Sequence, residues 1–263
     1  MMSAKSGMEE IIVEVRKKRE FSQLPEKDIE IAVSHFLKRQ TSEEEKVRLT
    51  RELLHKVFSS FLSSKLLSPK NKAEEWMLRK HLSTRERLKS YKEIYSRIFS
   101  HIKEKKVNII DLGCGINGFS VKMMKEFVSV KKYTGVESVG QLVNITNDYF
   151  KREKINGIVL HESLFNLENI IQIFDEQEKP RVVFLFKVVN PLEAMENNYS
   201  KKLISLISKK AELFVVSFAT ESMHTRTRFR KQGMWFLSFL EKNYKILDDF
   251  EKAGERYMCF REK

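Results

Sequence analysis

Residues 108–120 read NIIDLGCGINGFS, an apolar strand that runs into glycines. The spacing Gly113-x-Gly115-x-x-Gly118 is that of a nucleotide-binding turn, where missing Cβ atoms let the backbone turn sharply after a strand and approach a ligand closely. Two ligands suit such a turn. A dinucleotide places its pyrophosphate against the glycines and a helix N-terminus, whereas S-adenosylmethionine presents an ammonium, a carboxylate and a sulfonium there. Asp111, two residues before Gly113, favours the second, because a carboxylate suits a cationic ligand and dinucleotide folds usually carry an apolar residue at that point. Glu137, closing the next apolar run (YTGVES), is placed for ribose hydroxyls in either case. A nicotinamide oxidoreductase is the weaker reading.

Outward from this stretch the chain divides in two. From residue 106 short apolar runs alternate with helical segments: VNIIDL, YTGVES, IVLHES, RVVFLFK and ELFVVSFA, then YKILDDFE and RYMCFRE with no clear helix between them. Five strands with crossovers and a terminal hairpin predict a doubly wound parallel sheet with an antiparallel edge. The expected fold class is α/β: a class I, Rossmann-like methyltransferase sheet of seven strands over 106–263, preceded by an all-helical domain over 1–105. That first part has one glycine, Gly7, and several helix signatures. LPEKDIEIAVSHFLKR puts Pro25 at a helix start with Ile29, Val33, Phe36 and Leu37 on one face. A capping-box spacing, Ser42 to Glu45, precedes Leu53, Leu54, Val57, Phe58 and Phe61. Ser83 and Glu86 repeat it before a stripe of Leu88, Tyr91, Tyr95, Ile98 and Ile102.

Composition narrows the class. The 263 residues carry a net charge of +13, with 24 basic and 16 acidic residues in 1–105, so the smaller part holds most of the surplus. Such a surplus favours a polyanion, since neutralising phosphates releases counterions. No apolar run approaches a bilayer-spanning length of about 20 residues. MMSAKSGMEEIIVEV has acids before its short apolar stretch, unlike a signal peptide. Two cysteines, Cys114 and Cys259, form no metal-binding spacing, so no metal is expected and a reduced, cytoplasmic setting is.

The block HLSTRERL (81–88), followed by DLGCGIN, LFKVV and VSFATES, resembles the 16S ribosomal RNA methyltransferases of aminoglycoside resistance, the ArmA, RmtB and Sgm type, over nearly the whole chain. The resemblance implies S-adenosylmethionine as cofactor and methylation of guanine N7 in the decoding site of the 30S subunit. It also implies a monomer whose helical domain docks on the 16S RNA. Carried over by position, Arg87 would bind the methionine carboxylate. Asp111, Gly113 and Gly115 would surround the methionine end, Glu137 would hold the ribose, and Ser163 and Leu164 would lie by the adenine. Lys187, which would also touch the cofactor, would line the catalytic centre with Ser217 and Phe218 beside the target base, with Thr220 in the same segment.

The chain departs from that family's pattern in four places. Gly118 stands where a proline is common, and Ser163, beside Glu162, where an aspartate follows the third strand. Val188-Val189-Asn190 replaces Leu-Leu-Pro, and Ala219 replaces a proline. These changes keep two alternatives open: an adenine or amino-group methyltransferase, because NPLE (190–193) partly matches the Asn-Pro-Pro-aromatic grip on amines, and a non-catalytic RNA-binding protein of ribosome assembly. They also fit a divergent or archaeal-type relative. Guanine N7 offers a free lone pair, so its methylation needs positioning rather than a general base. ESMHTRTRFRKQGMWF (221–236) is expected to form a basic loop over the pocket, with Arg226, Arg228, Arg230 and Lys231 on RNA phosphates and His224 incidental. Lys17, Lys18, Arg19, Lys38 and Arg39 are further candidate phosphate contacts.

Overall fold

The computed structural model describes the chain over residues 2–59, 63, 66, 72–220 and 226–263, and its side chains over the same residues except 2–6 and 226–234. The described elements before Lys106 are all helices: α1 (Met2–Arg16), α2 (Glu26–Leu37), α3 (Glu43–Leu54), α4 (Glu74–Lys80), α5 (Leu82–Arg87) and α6 (Tyr91–Phe99). Pro25 precedes the first turn of α2 with φ −53°, and Glu26 and Asp28 follow where acids complement the helix dipole. Ser42 caps α3, its hydroxyl accepting the Glu45 N–H at 3.2 Å, but the Glu45 carboxylate turns to Arg48 instead of closing the box. A π-helical turn, His55–Ser59, continues α3, and Phe61 lies outside the described residues.

The second capping box is a correction. Helix α5 starts at Leu82, so Ser83 sits inside it, and the chain breaks before α6 instead of running on to 102. The side chains have other partners: Arg87 donates to the Ser83 hydroxyl, Thr84 donates to the Leu78 carbonyl (2.6 Å), and Glu86 pairs with Lys187. Tertiary contacts override the local capping pattern.

The sheet contains β1 (Lys106–Leu112), β2 (Ser129–Glu137), β3 (Gly157–His161), β4 (Arg181–Phe186), β5 (Leu213–Ala219), β6 (Lys245–Lys252) and β7 (Glu255–Arg261), in the order β3-β2-β1-β4-β5-β7-β6. The first five are parallel, and β7 pairs antiparallel with both β5 and β6. Between the strands lie α7 (Val121–Met124), α8 (Gly140–Arg152), α9 (Leu167–Asp175), α10 (Val189–Met195) and α11 (Tyr199–Ile207). The seven-stranded Rossmann-like sheet with a helical N-terminal region is thus as expected. Its strand order reverses at β1, between β2 and β4, and such a point opens a crevice at the carboxyl ends of the strands.

The expected basic loop is also corrected. Arg226–Asn243 form one long helix, α12, between β5 and β6. Its buried face carries Phe236, Leu237 and Leu240, with Trp235 and Phe239 packed beside them, a helical period that the neighbouring charges obscure. Residues 221–225, His224 included, lie outside the described residues.

All six residues of β4 are buried, and Phe184 at its centre stacks on Phe186 (centroids 4.7 Å apart) and meets Tyr95 and Phe99 of α6, both at 6.3 Å. This cluster joins the helical region to the sheet. Phe184→Ala is expected to cost about 3–5 kcal/mol in urea unfolding. A loss under about 1 kcal/mol would mean that the junction is not a shared core.

Candidate active site

The crevice above β1, β2 and β4 holds a pocket whose floor is the glycine turn. Gly113 and Gly115 have φ of +68° and +52°, a region that disfavours other residues, and a Cβ on Gly113 would lie 2.7 Å from Val188 Cγ2. The N–H groups of Gly113 and Cys114 both donate to the Val136 carbonyl (2.9 and 3.0 Å), pinning the turn to β2. Glu137, at the end of β2, accepts from the N–H groups of Gly115 (2.7 Å) and Val139 (2.9 Å), one on each oxygen. Each oxygen keeps a further acceptor site for a ligand. Asp111 is buried, and one of its oxygens accepts from Asn117 Nδ2 (2.8 Å) and the Tyr133 hydroxyl (2.7 Å).

A charged cluster forms one wall. Arg87, on α5, is buried and donates from Nε to Glu255 (3.0 Å), from Nη1 to Asn117 Oδ1 (3.2 Å), and from Nη2 to Ser83. Three of its five N–H groups are thereby used and two remain for a ligand. Lys187 follows β4 with φ +58°, a conformation that costs a non-glycine residue of order 1 kcal/mol and recurs at functional sites. Its N–H donates to the Ser217 carbonyl (3.1 Å), and its ammonium pairs with Glu86 and with Glu255 (3.4 Å). Glu255 also accepts from the Ser217 hydroxyl (2.7 Å), so one fully buried carboxylate ties α5, β4, β5 and β7 together.

At the opposite end, past Glu137, the wall is Leu142, Leu164, Phe165 and Asp28. Asp28 comes from α2 and is fully buried, and the Ser163 hydroxyl donates to its Oδ1 at 2.5 Å. Burial raises the Asp28 carboxyl from 3.8 to about 6, against the lowering effect of the Ser163 hydroxyl. His81 packs on Gly115. Burial, then the Arg87 and Lys187 charges, pushes its imidazole down to about 3.

The structure therefore gathers Arg87, Asp111, Gly113, Gly115, Glu137, Leu164 and Lys187 around one pocket. Ser163 stands behind Asp28 instead of on the wall. Ser217 and Phe218 are buried behind the charged cluster, Ser217 on Glu255 and Phe218 against Phe236 (centroids 5.7 Å). Lys17, Lys18, Arg19, Lys38 and Arg39 are exposed away from the pocket. Lys17 pairs with Glu14, Lys18 pairs with Glu20 (3.2 Å), and Arg39 lies over Phe36 (5.0 Å). The arginines of α12 and Lys231 belong to the helix, their side chains outside the described residues. Sequence reasoning missed Asp28, His81 and Asn117 as pocket groups, and Glu255 behind the wall. Asp28 alone left a trace: it shares the α2 face of Ile29, Ala32 and Val33, an acid where an apolar residue belongs.

Burial raises the Asp111 carboxyl from 3.8 to about 6, opposed by hydrogen bonds from Asn117 and Tyr133 and by Arg87. The folded protein therefore holds this proton to higher pH than the unfolded chain does. The stabilisation it brings is full below about pH 4 and lost as pH rises through about 6, on the order of 3 kcal/mol. Asp111→Asn keeps an acceptor for Asn117 and Tyr133 and abolishes this titration. Urea unfolding of both ligand-free proteins should show the wild type losing ground to the variant by roughly that amount between pH 4 and pH 7. A constant difference would mean that Asp111 titrates normally.

Residues 68–236 match the model of the ribosomal RNA methyltransferase (FmrO) family. Among curated proteins none matches the chain in sequence. Several solved structures share its fold. The 16S rRNA methyltransferase RmtF, crystallised with S-adenosyl-L-homocysteine, superposes with a TM-score of 0.75 at 17% identity, covering 99% of this chain and 98% of that one. An rRNA methylase from Escherichia coli gives 0.74 at 18% identity (97% and 100% covered), and the 16S rRNA methylase RmtB gives 0.72 at 17% (97% and 98%). At such identities the likeness speaks for the fold. The family follows from the model match, which spans more than half the residues and includes the arginine block, the glycine turn and Lys187: the chain belongs to the FmrO family of ribosomal RNA methyltransferases.

Proposed function

We propose that this protein methylates N7 of a guanine in the decoding site of 16S rRNA, within the 30S subunit. The cofactor is S-adenosylmethionine, in keeping with the family and with the S-adenosyl-L-homocysteine bound to RmtF. The pocket fits it on the chain's own chemistry. Two unused Arg87 N–H groups suit a carboxylate, the Asp111 and Glu137 carboxylates suit an ammonium and ribose hydroxyls, and a buried Asp28 oxygen lacks a partner.

The observation that carries the N7 reading is that the described pocket residues leave no proton acceptor for the target base once the Asp28, Asp111 and Glu137 carboxylates are given to the cofactor. The only imidazole on the wall, His81, is pushed down to about 3, too weak a base, and the Lys187 ammonium is held by Glu86 and Glu255. When bound, S-adenosylmethionine supplies an electrophilic methyl group, and a base nitrogen with a free lone pair can take it without losing a proton. What remains for the protein is alignment and exclusion of water. Lys187, at the carboxyl end of β4, is the group that would orient the base, while Ser217 supports it from behind through Glu255 and Phe218 packs on Phe236. The amine alternative gains nothing from NPLE, because Asn190-Pro191-Leu192-Glu193 is wound into α10 and not presented as an extended grip.

For RNA, the helical region over 1–105 and the first turns of α12 are the proposed contacts. Arg226 follows β5 by seven residues. Reversing Arg226, Arg228 and Arg230 to glutamate should weaken 30S binding at least tenfold at low salt and flatten its salt dependence, with cofactor affinity unchanged. Equal binding by the variant would remove α12 from the interface.

The deciding assay offers purified 30S subunits and free 16S RNA to the protein with tritium-labelled cofactor, then maps the product by borohydride–aniline cleavage. A single cleavage in the decoding region is expected. Label without cleavage would overturn N7 in favour of an amine or adenine nitrogen. No label, with cofactor binding proven, would favour the non-catalytic reading that the changes at Ser163, Asn190 and Ala219 keep open.

A further inference from the structure

The end of the pocket beyond Glu137 contains a group that neither the glycine turn nor the charged cluster explains. Asp28 reaches it from α2, an element of the helical region, 135 residues before its partner Ser163. Its side chain is completely buried. Oδ1 is satisfied by the Ser163 hydroxyl, but Oδ2 is buried with no hydrogen-bond partner, and the Ser138 hydroxyl is near enough to favour the ionised form without bonding that oxygen. An unsatisfied buried acceptor is costly, more so when charged, and persists where a ligand completes it.

Its neighbours say which ligand. Leu142, Leu164 and Phe165 give the slot apolar walls, suited to the faces of a flat ring, and Asp28 is the acid at its edge. Ser163, by contrast, is committed: its hydroxyl donates to Asp28 and accepts the Phe165 N–H (3.0 Å), and its own N–H donates to Glu162 (2.8 Å). Ser163 thus has no free polar group to offer, and the acid arrives from another part of the chain. With its carboxyl at about 6, Asp28 is ionised at neutral pH and can only accept. It therefore selects a ring bearing an amino group over one bearing a carbonyl at the same place.

We propose that Asp28 is the base-selecting residue of the cofactor site, accepting a hydrogen bond from the 6-amino group of adenine through Oδ2, with Ser163 as the residue that positions it. The helical region then forms part of the cofactor pocket itself. Two contacts hold α2's approach in register: the Gln23 carbonyl meets His161 Nε2 at 2.6 Å, and Gln141 Nε2 donates to the Arg19 carbonyl at 3.0 Å. The proposal rests on the cofactor assigned above but not on the base methylated.

Calorimetry with two probes tests it: S-adenosylhomocysteine and S-inosylhomocysteine, which carries a carbonyl in place of the 6-amino group. The wild type should prefer the adenosyl compound by at least about tenfold, since a site built around one hydrogen bond rejects a ligand that cannot make it. Asp28→Asn, whose amide can turn to either ligand, should reduce that preference to within about threefold while thermal unfolding of the ligand-free variant stays cooperative. Ser163→Ala, which leaves the carboxylate in place but unheld, should weaken adenosyl binding several-fold and reports on the same contact if Asp28→Asn does not fold. Wild-type preference in Asp28→Asn, or equal loss for both ligands, would overturn the proposal alone. Failure of the wild type to bind S-adenosylhomocysteine at all would overturn the cofactor assignment as well.

Discussion

The Glu255 carboxylate is the contact on which the site depends. It is buried without access to water, yet three groups from separate parts of the chain converge on it: the Arg87 guanidinium at 3.0 Å, the Lys187 ammonium at 3.4 Å and the Ser217 hydroxyl at 2.7 Å. Burying one carboxylate with two cations is tolerable only because each charge is met, and losing one member would strand the others. The consequence is positional. Arg87 is carried by a six-residue helix, and Lys187 stands in a left-handed conformation that favours glycine. Both are fixed by a residue at the start of the last strand.

Desolvation shapes the rest of the pocket. The same withdrawal of water that raises Asp28 and Asp111 lowers His81, so the wall presents acids that hold protons unusually late and an imidazole that does not take one. Such a lining can grip a cation, hydroxyls and an amino group, and its acids are taken up by those groups. That is consistent with a transfer whose acceptor is already a free lone pair and whose rate depends on alignment.

The helical region takes part in both arrangements. It supplies Arg87 and His81 from the segment leading into the sheet and Asp28 from α2, while Tyr91, Tyr95 and Phe99 of α6 pack against the Asn117 turn and β4. The ligand pocket and the packing of helices on the sheet are one construction, so the part of the protein proposed to meet RNA is also in contact with the cofactor's surroundings.

How much of this was legible beforehand follows from the range of the interactions. The strands, their parallel order with an antiparallel edge, the glycine turn, Asp111 and Glu137 were all readable, because continuous apolar runs, turn chemistry and the acid closing a strand are written within a few neighbouring residues. Ser83 and α12 misled for the same reason: a local cap pattern and a run of charges yielded to partners and an apolar face that only folding supplies. Asp28 with Ser163 and Arg87 with Glu255 join positions 135 and 168 residues apart, and Glu255 beside its Ala253-Gly254 turn looks like any exposed hairpin charge. The sequence by itself determined the sheet, the turn that cradles a ligand and the family. Only the tertiary structure decided which acids surround that ligand and which of the candidate residues stand behind the wall, because burial and pairing across the chain, not residue type, set where a charge can survive.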